Sequence, residues 1–169
     1  MARNVEIKAT VDDFAPVVRA VEPIAAGAPA LIVQEDTFFR CGHGRLKLRK
    51  FSATSGELIH YERADQTGPK ESRYTKAATS EPDRLRDALA AANGTIGVVR
   101  KRRTLYIVGR TRVHLDDVDG LGKFVELEVA LDDGESTDAG ITEARRLMTT
   151  LGIAQDRLVS HAYLDLLTR

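Results

Sequence analysis

Four short stretches of this chain alternate apolar and polar or charged residues with period two: NVEIK (residues 4–8), RLKLR (45–49), RVHLD (112–116) and VELEV (125–129). Successive side chains leave opposite faces of a pleat, so each stretch reads as a β-strand with one apolar and one polar face. The apolar sets, among them Val5 with Ile7, Leu46 with Leu48, Val113 with Leu115, and Val125 with Leu127 and Val129, must pack against something. On the other face the charge is sorted by sign. Lys47 sits with Arg49, Glu126 with Glu128, and in VRKRR (99–103) Lys101 shares a face with Arg103.

Two readings compete for these charged faces. An antiparallel sheet commonly turns one face to water, and surface charges need no purpose. Like charges two residues apart on one face repel, however, so each pair calls for opposite charge nearby. A sheet curled into a closed or nearly closed barrel would bring basic walls and an acidic cluster around a shared interior. The candidates are Lys8, Lys47, Arg49, Arg63, Lys101, Arg103 and Arg112 against Glu6, Glu126, Glu128 and Asp116, a surplus of three positive charges. Such an interior suits a polyanion held with a divalent metal ion. Glutamate oxygens at Glu6, Glu126 and Glu128 are hard ligands for Mg2+ or Mn2+, and arginine and lysine grip phosphate oxygens.

Composition narrows the alternatives. With 169 residues, 43% hydrophobic and 30% charged, a single folded domain over 1–169 is expected. Twenty-five basic residues balance 25 acidic ones, which argues against a nucleic-acid or membrane-surface binder. The basic run RKRR (100–103) is too short, and too poor in interleaved aromatics, to reverse that. A lone cysteine, Cys41, allows neither an internal disulfide nor a thiolate metal cluster. No leader and no 18-residue apolar run are present, so a cytoplasmic setting is expected.

The remaining pattern is α+β. Helices are expected over residues 11–25, 81–93, 141–152 and 155–167, covering the barrel's exterior and ends, with Leu164, Leu166 and Leu167 as core contacts. Ser55-Gly56 signals a hairpin, and CGHG (41–44) reads as a plain turn without the GK[ST] ending of a phosphate loop. His114, beside Asp116, is read as a hydrogen-bonding neighbour ahead of a catalytic acid or base.

Taken in order, these stretches resemble the CYTH domain, or triphosphate tunnel metalloenzyme, family. NVEIK resembles its ExExK motif at Glu6 and Lys8, with Asn4 in place of the first glutamate. LKLR is similar to the basic third-strand segment, and VRKRR to the VxKxR element. RVHLDDVDGLGKFVELEV resembles the late strand pair, with Arg112, Asp116, Glu126 and Glu128 in register, and SHAYLDLL the C-terminal helix of the class IV adenylyl cyclase-like branch. The resemblance implies an eight-stranded antiparallel tunnel whose basic residues grip a triphosphate and whose acidic residues, Asp116 among them, hold Mg2+ or Mn2+. It implies a small-molecule triphosphate substrate and a monomer or homodimer. The expected activity is hydrolysis, with Lys8 positioning or deprotonating the nucleophile. Class IV adenylyl cyclase activity is the alternative, and a non-catalytic polyphosphate-binding module the second alternative. Asn4 offers a carbonyl oxygen but no charge to a metal.

Overall fold

A computed structural model describes residues 1–168. The elements run β1 (Ala2–Thr10), α1 (Ala15–Val21), β2 (Ala30–Phe39), β3 (Arg45–Ser52), β4 (Ser55–Arg63), β5 (Lys70–Thr79), α2 (Pro82–Asn93), β6 (Thr95–Val108), β7 (Thr111–Val118), β8 (Gly122–Leu131), α3 (Thr137–Thr150) and α4 (Tyr163–Leu167). The strands close into a single antiparallel barrel of order β1-β5-β4-β3-β2-β6-β7-β8. The expected α+β class and eight-stranded barrel with flanking helices are therefore what the chain forms.

The apolar faces turn outward. Val5, Ile7 and Ala9 of β1, Val113 and Leu115 of β7, and Val125, Leu127 and Val129 of β8 are all buried. They form one core with Val17 and Val21 of α1 and with Ala144, Leu147 and Met148 of α3. The largest hydrophobic layer thus lies between barrel and helices, which leaves the inner face of the same strands free to be polar. Helix α3 lies close to the sheet at Gly140, where a Cβ would stand 2.7 Å from Val5 Cγ2 and 2.8 Å from Leu131 Cδ2. A side chain there would push the helix off β1 and β8. A smaller cluster is built on Phe38, Val99, Val118, Phe124, Tyr163 and Leu164, of which Phe38, Val99 and Tyr163 also line the barrel's interior cavity.

Several elements differ from expectation. Within residues 11–25, α1 starts only at Ala15, with proline in its first turn, and gives way to a 3-10 turn at Glu22–Ile24. That turn contains Pro23, which cannot donate the backbone bond an α-helix needs. Helix α3 begins at Thr137 because the Ser136 hydroxyl accepts a bond from Asp138 N–H at 3.2 Å. The β3–β4 turn falls at Ala53 and Thr54, bringing Ser52 opposite Ser55. Gly56 is then a strand residue, where a Cβ would meet Arg49 O at 2.7 Å. The helix expected over 155–167 shrinks to α4, preceded by a 3-10 turn at Gln155–Arg157. Its middle is drawn out along β1, with Val159 N–H donating to Lys8 O at 2.8 Å and Leu158 bridging Ala9. Leu164 is buried and Leu166 partly so, but Leu167 is 37% exposed. Among the described residues no helix is long and apolar enough to cross a membrane.

Candidate active-site channel

Strand register places the charged residues in rows around the interior. Lys8 of β1 lies opposite Glu126 of β8, which lies opposite His114 of β7. One row along, Glu6 faces Glu128 and Glu128 faces Arg112. Lys47 and Arg49 stand on β3, four strands round from β8 and so across the barrel from its glutamates. Lys101 and Arg103 stand on β6 between these walls, with Val99 and Leu105 on the same inner face.

These side chains line a cavity of about 250 Å3. All the residues expected at the site line it except Asp116. Lys76, Asp36 and Glu57 join them, so eight cationic side chains meet five carboxylates, a surplus of three positive charges. Asp116 is fully buried behind the wall. Its Oδ1 accepts from Arg103 Nε at 2.6 Å, and its Oδ2 accepts from Lys101 Nζ at 2.8 Å, Arg103 Nη2 at 2.6 Å and Tyr163 Oη at 2.9 Å. The metal-ligand role expected of Asp116 does not match that geometry, because its oxygens are already engaged in orienting the β6 cations.

Asp36 does the same for β3, and sequence reasoning missed it. Its carboxylate accepts from Lys47 Nζ at 2.9 Å and from Arg49 through a two-pronged pair at 2.8 and 2.9 Å, with Gln34 Nε2 donating at 3.2 Å. Burial alone raises the Asp36 carboxyl pKa, but Arg49 and Lys47 outweigh it and hold the group well below its ordinary value. The signal was faint: Ile32, Gln34, Asp36 and Phe38 share a face of β2, but Glu35 and Thr37 put polar residues on the other face too. Tyr163 was also missed as a lining residue. Its ring stands 3.9 Å from Lys8 Nζ and 4.7 Å from Lys101 Nζ, centroid to nitrogen.

The acidic side is less saturated. Glu128 Oε2 accepts from Arg112 Nη2 at 2.8 Å, and Glu126 Oε2 from Arg103 Nη2 at 3.0 Å. Glu6 pairs with Arg63 Nη1. Burial raises the Glu6 pKa, Glu126 adds to the rise, and Arg63 opposes it. Burial also works against the charged forms of Glu126 and Glu128. Lys8 and Arg103 hold Glu126 well below its ordinary value, whereas His114 and Arg112 bring Glu128 down to about 2. Both stay ionised. Glu126, Glu128 and His114 each offer one ligand atom, all within 4.8 Å of one another.

The cations carry the opposite strain. Burial lowers the pKa of Lys8, with Glu126 opposing and Arg63 reinforcing the fall. Burial lowers Lys47 as well, and Lys101 falls to about 7 under burial and the neighbouring Arg103. Burial lowers the His114 imidazole pKa, with Arg103 acting in the same direction and the carboxylates of Glu128 and Glu126 opposing. Among the described residues four buried polar atoms have no hydrogen-bond partner: Nε and Nη2 of Arg63, Asn4 Oδ1 and His114 Nδ1. The two guanidinium nitrogens without hydrogen bonds, Nε and the Nη2 that stands 3.7 Å from Asp65 Oδ1, can each still donate to an anion. An unpaired amide oxygen and an unpaired imidazole nitrogen beside two carboxylates want a cation. The residues present therefore fit both halves of a metal–polyanion complex.

The barrel is polar inside, and its channel carries excess positive charge and a carboxylate–histidine cluster. This chain belongs to the CYTH domain family, whose model matches residues 2–163. A Methanocaldococcus jannaschii protein named "Putative adenylate cyclase" is 34% identical over 68 residues, covering 40% of this chain and 39% of the relative. The match thus spans well under half of that curated relative. A Pyrococcus horikoshii protein of solved structure superposes with a TM-score of 0.84 at 21% identity, covering 96% of this chain and 98% of that one. A Hippeastrum protein named "Putative adenylyl cyclase", described as having a dominant triphosphatase activity, superposes with a TM-score of 0.62 at 15% identity, covering 98% and 95%. These two likenesses establish the fold.

Proposed function

We propose that this protein hydrolyses a triphosphate in its channel with a bound Mg2+ or Mn2+ ion. The observation that carries the reading is the convergence of Lys8, Lys47, Arg49, Arg63, Lys101, Arg103 and Arg112 with Glu6, Glu126 and Glu128 on one cavity. The Arg63 nitrogens without hydrogen bonds and the lowered lysine pKa values mark a wall that a polyanion would relieve. The cavity is smaller than the roughly 300–1,000 Å3 typical of drug-sized ligands, which suits a phosphate chain with any organic part at the mouth.

Glu126 and Glu128, supported by Glu6, would hold the ion. Bound there, it would supply charge neutralisation of phosphate oxygens and a more acidic water. The chain's own residues would do the rest. Arg49 and Lys47, fixed by Asp36, and Arg103 and Lys101, fixed by Asp116, would hold the phosphate oxygens from two walls and stabilise the charge that builds as the terminal bond breaks. Lys8 Nζ, 3.8 Å from Glu126 Oε1 and disposed by burial to give up its proton, would accept a proton from the attacking water. The substrate would be inorganic triphosphate, thiamine triphosphate or a nucleoside triphosphate.

A second reading has one specific support, the sequence similarity to the M. jannaschii protein named as an adenylate cyclase. There the ribose 3′-hydroxyl of ATP would attack the α-phosphorus and release pyrophosphate. Incubating purified protein with each triphosphate and Mg2+ or Mn2+, then separating the products, tests both. Orthophosphate with the matching diphosphate supports hydrolysis, and cyclic AMP with pyrophosphate supports cyclisation. No metal-stimulated product from any of them would refute both readings and leave a binding module.

A further inference from the structure

His114 stands out among the channel residues because no part of the chemistry above uses it. It projects from β7 into the cavity, is 3% exposed, and its Nδ1 is sealed from solvent without a hydrogen-bond partner. That nitrogen lies 3.8 Å from Glu126 Oε2 and 3.9 Å from Glu128 Oε1. Both separations are too long for hydrogen bonds. They are right for atoms that share an ion, because donors about 2.0–2.2 Å from a common centre stand roughly 3–4 Å apart.

The neighbouring groups leave these atoms available. Arg112 occupies Glu128 Oε2 and leaves Oε1 toward the imidazole. Arg103 donates to Glu126 Oε2, which keeps a second lone pair. Glu6 is tied to Arg63, and Asn4 supplies a neutral amide oxygen. The hard anionic donors beside His114 are therefore few, and all three ligand side chains stand on two adjacent, hydrogen-bonded strands.

We propose that His114 is a metal ligand, and that its Nδ1 with one oxygen each from Glu126 and Glu128 forms a mixed nitrogen–oxygen site selective for a borderline first-row transition ion over Mg2+. The inference rests on the metal-dependent reading above and specifies its ion. Imidazole nitrogen strengthens binding along the series from Mn2+ toward Zn2+, while Mg2+ favours an all-oxygen shell and keeps its waters.

Two measurements test it. Pulsed electron paramagnetic resonance on the unmodified protein loaded with Mn2+ reads nitrogen coordination directly and does not depend on a variant folding. A nitrogen coupling that changes when histidine is 15N-labelled, and that disappears in His114→Gln, is the expected result. Calorimetry of metal-free protein with Co2+ and with Mg2+ gives the selectivity. His114→Gln should weaken Co2+ binding about 10–100-fold, and Mg2+ binding by less than about threefold. Mn2+ bound without nitrogen coupling, coupling that survives in His114→Gln, or equal losses for Co2+ and Mg2+ would overturn the proposal and leave the metal-dependent reading standing. Failure of the unmodified protein to bind any of the three ions, with or without inorganic triphosphate, would overturn both.

Discussion

The two faces of β1, β7 and β8 make opposite kinds of structure from the same backbone. Outward, Val5, Ile7, Val113, Leu115, Val125, Leu127 and Val129 disappear under α1 and α3 in an ordinary close-packed core. Inward, Glu6, Lys8, His114, Glu126 and Glu128 share a cavity with unpaired polar atoms and an excess of positive charge. The contrast teaches that stability and chemistry occupy different sides of one sheet. The outer layer supplies the burial that lets the inner layer stay electrostatically incomplete.

The sharpest way to break the comparison is to change the inner face alone. Glu126→Gln with Glu128→Gln should cut metal-dependent triphosphate turnover by about 10³-fold, while far-ultraviolet circular dichroism stays native. The reverse experiment is Leu127→Ala on the outer face. It should cost about 2–5 kcal/mol in urea unfolding and leave turnover per folded molecule within about twofold. An activity loss matching that of the glutamate pair would show that the two faces are not separable.

Ligand binding sharpens the same contrast. Inorganic triphosphate at about 100 times its Kd should raise the unfolding free energy by about 2.7 kcal/mol. In Arg63→Gln, which loses two guanidinium nitrogens that make no hydrogen bond, the Kd should rise about tenfold and the thermal shift at fixed ligand should shrink accordingly. The smallest effect is expected at Lys70, buried beside the backbone oxygens of Gln66 and Ser160. Burial, with Arg63 in support, lowers its pKa from 10.5 to about 8. Between those values the unfolded chain binds more protons than the folded one, so this lysine makes stability rise with pH across that window. Urea midpoints at pH 8 and pH 10 should differ less in Lys70→Met than in the unaltered protein.

Much of the barrel was legible because period two is a local property. RLKLR and VELEV declare which residues share a face without reference to any other strand. The sorted charges of Lys47 with Arg49 and Lys101 with Arg103 carried the further hint that those faces were not bulk surface. The residues that answer them were harder to read. Asp36 lies in a strand with polar side chains on both faces, so parity gives it no direction. Asp116 shares a face with Arg112 and His114 in RVHLD, yet it is withdrawn behind the wall because Lys101, Arg103 and Tyr163 converge on it. The segment before α4 has helical composition, but its backbone bonds with β1 override that preference.

By itself, then, the sequence determined the strands, their two faces and the sign of the charge on each, since these follow from side chains one or two positions apart. Tertiary structure alone decided which charges neutralise one another, which stay unpaired, and that His114 faces two carboxylates. Those outcomes depend on register and barrel closure, which bring β1, β7 and β8 together from opposite ends of the chain. No local pattern encodes distances across a cavity, and among partly buried charges those distances set the electrostatics.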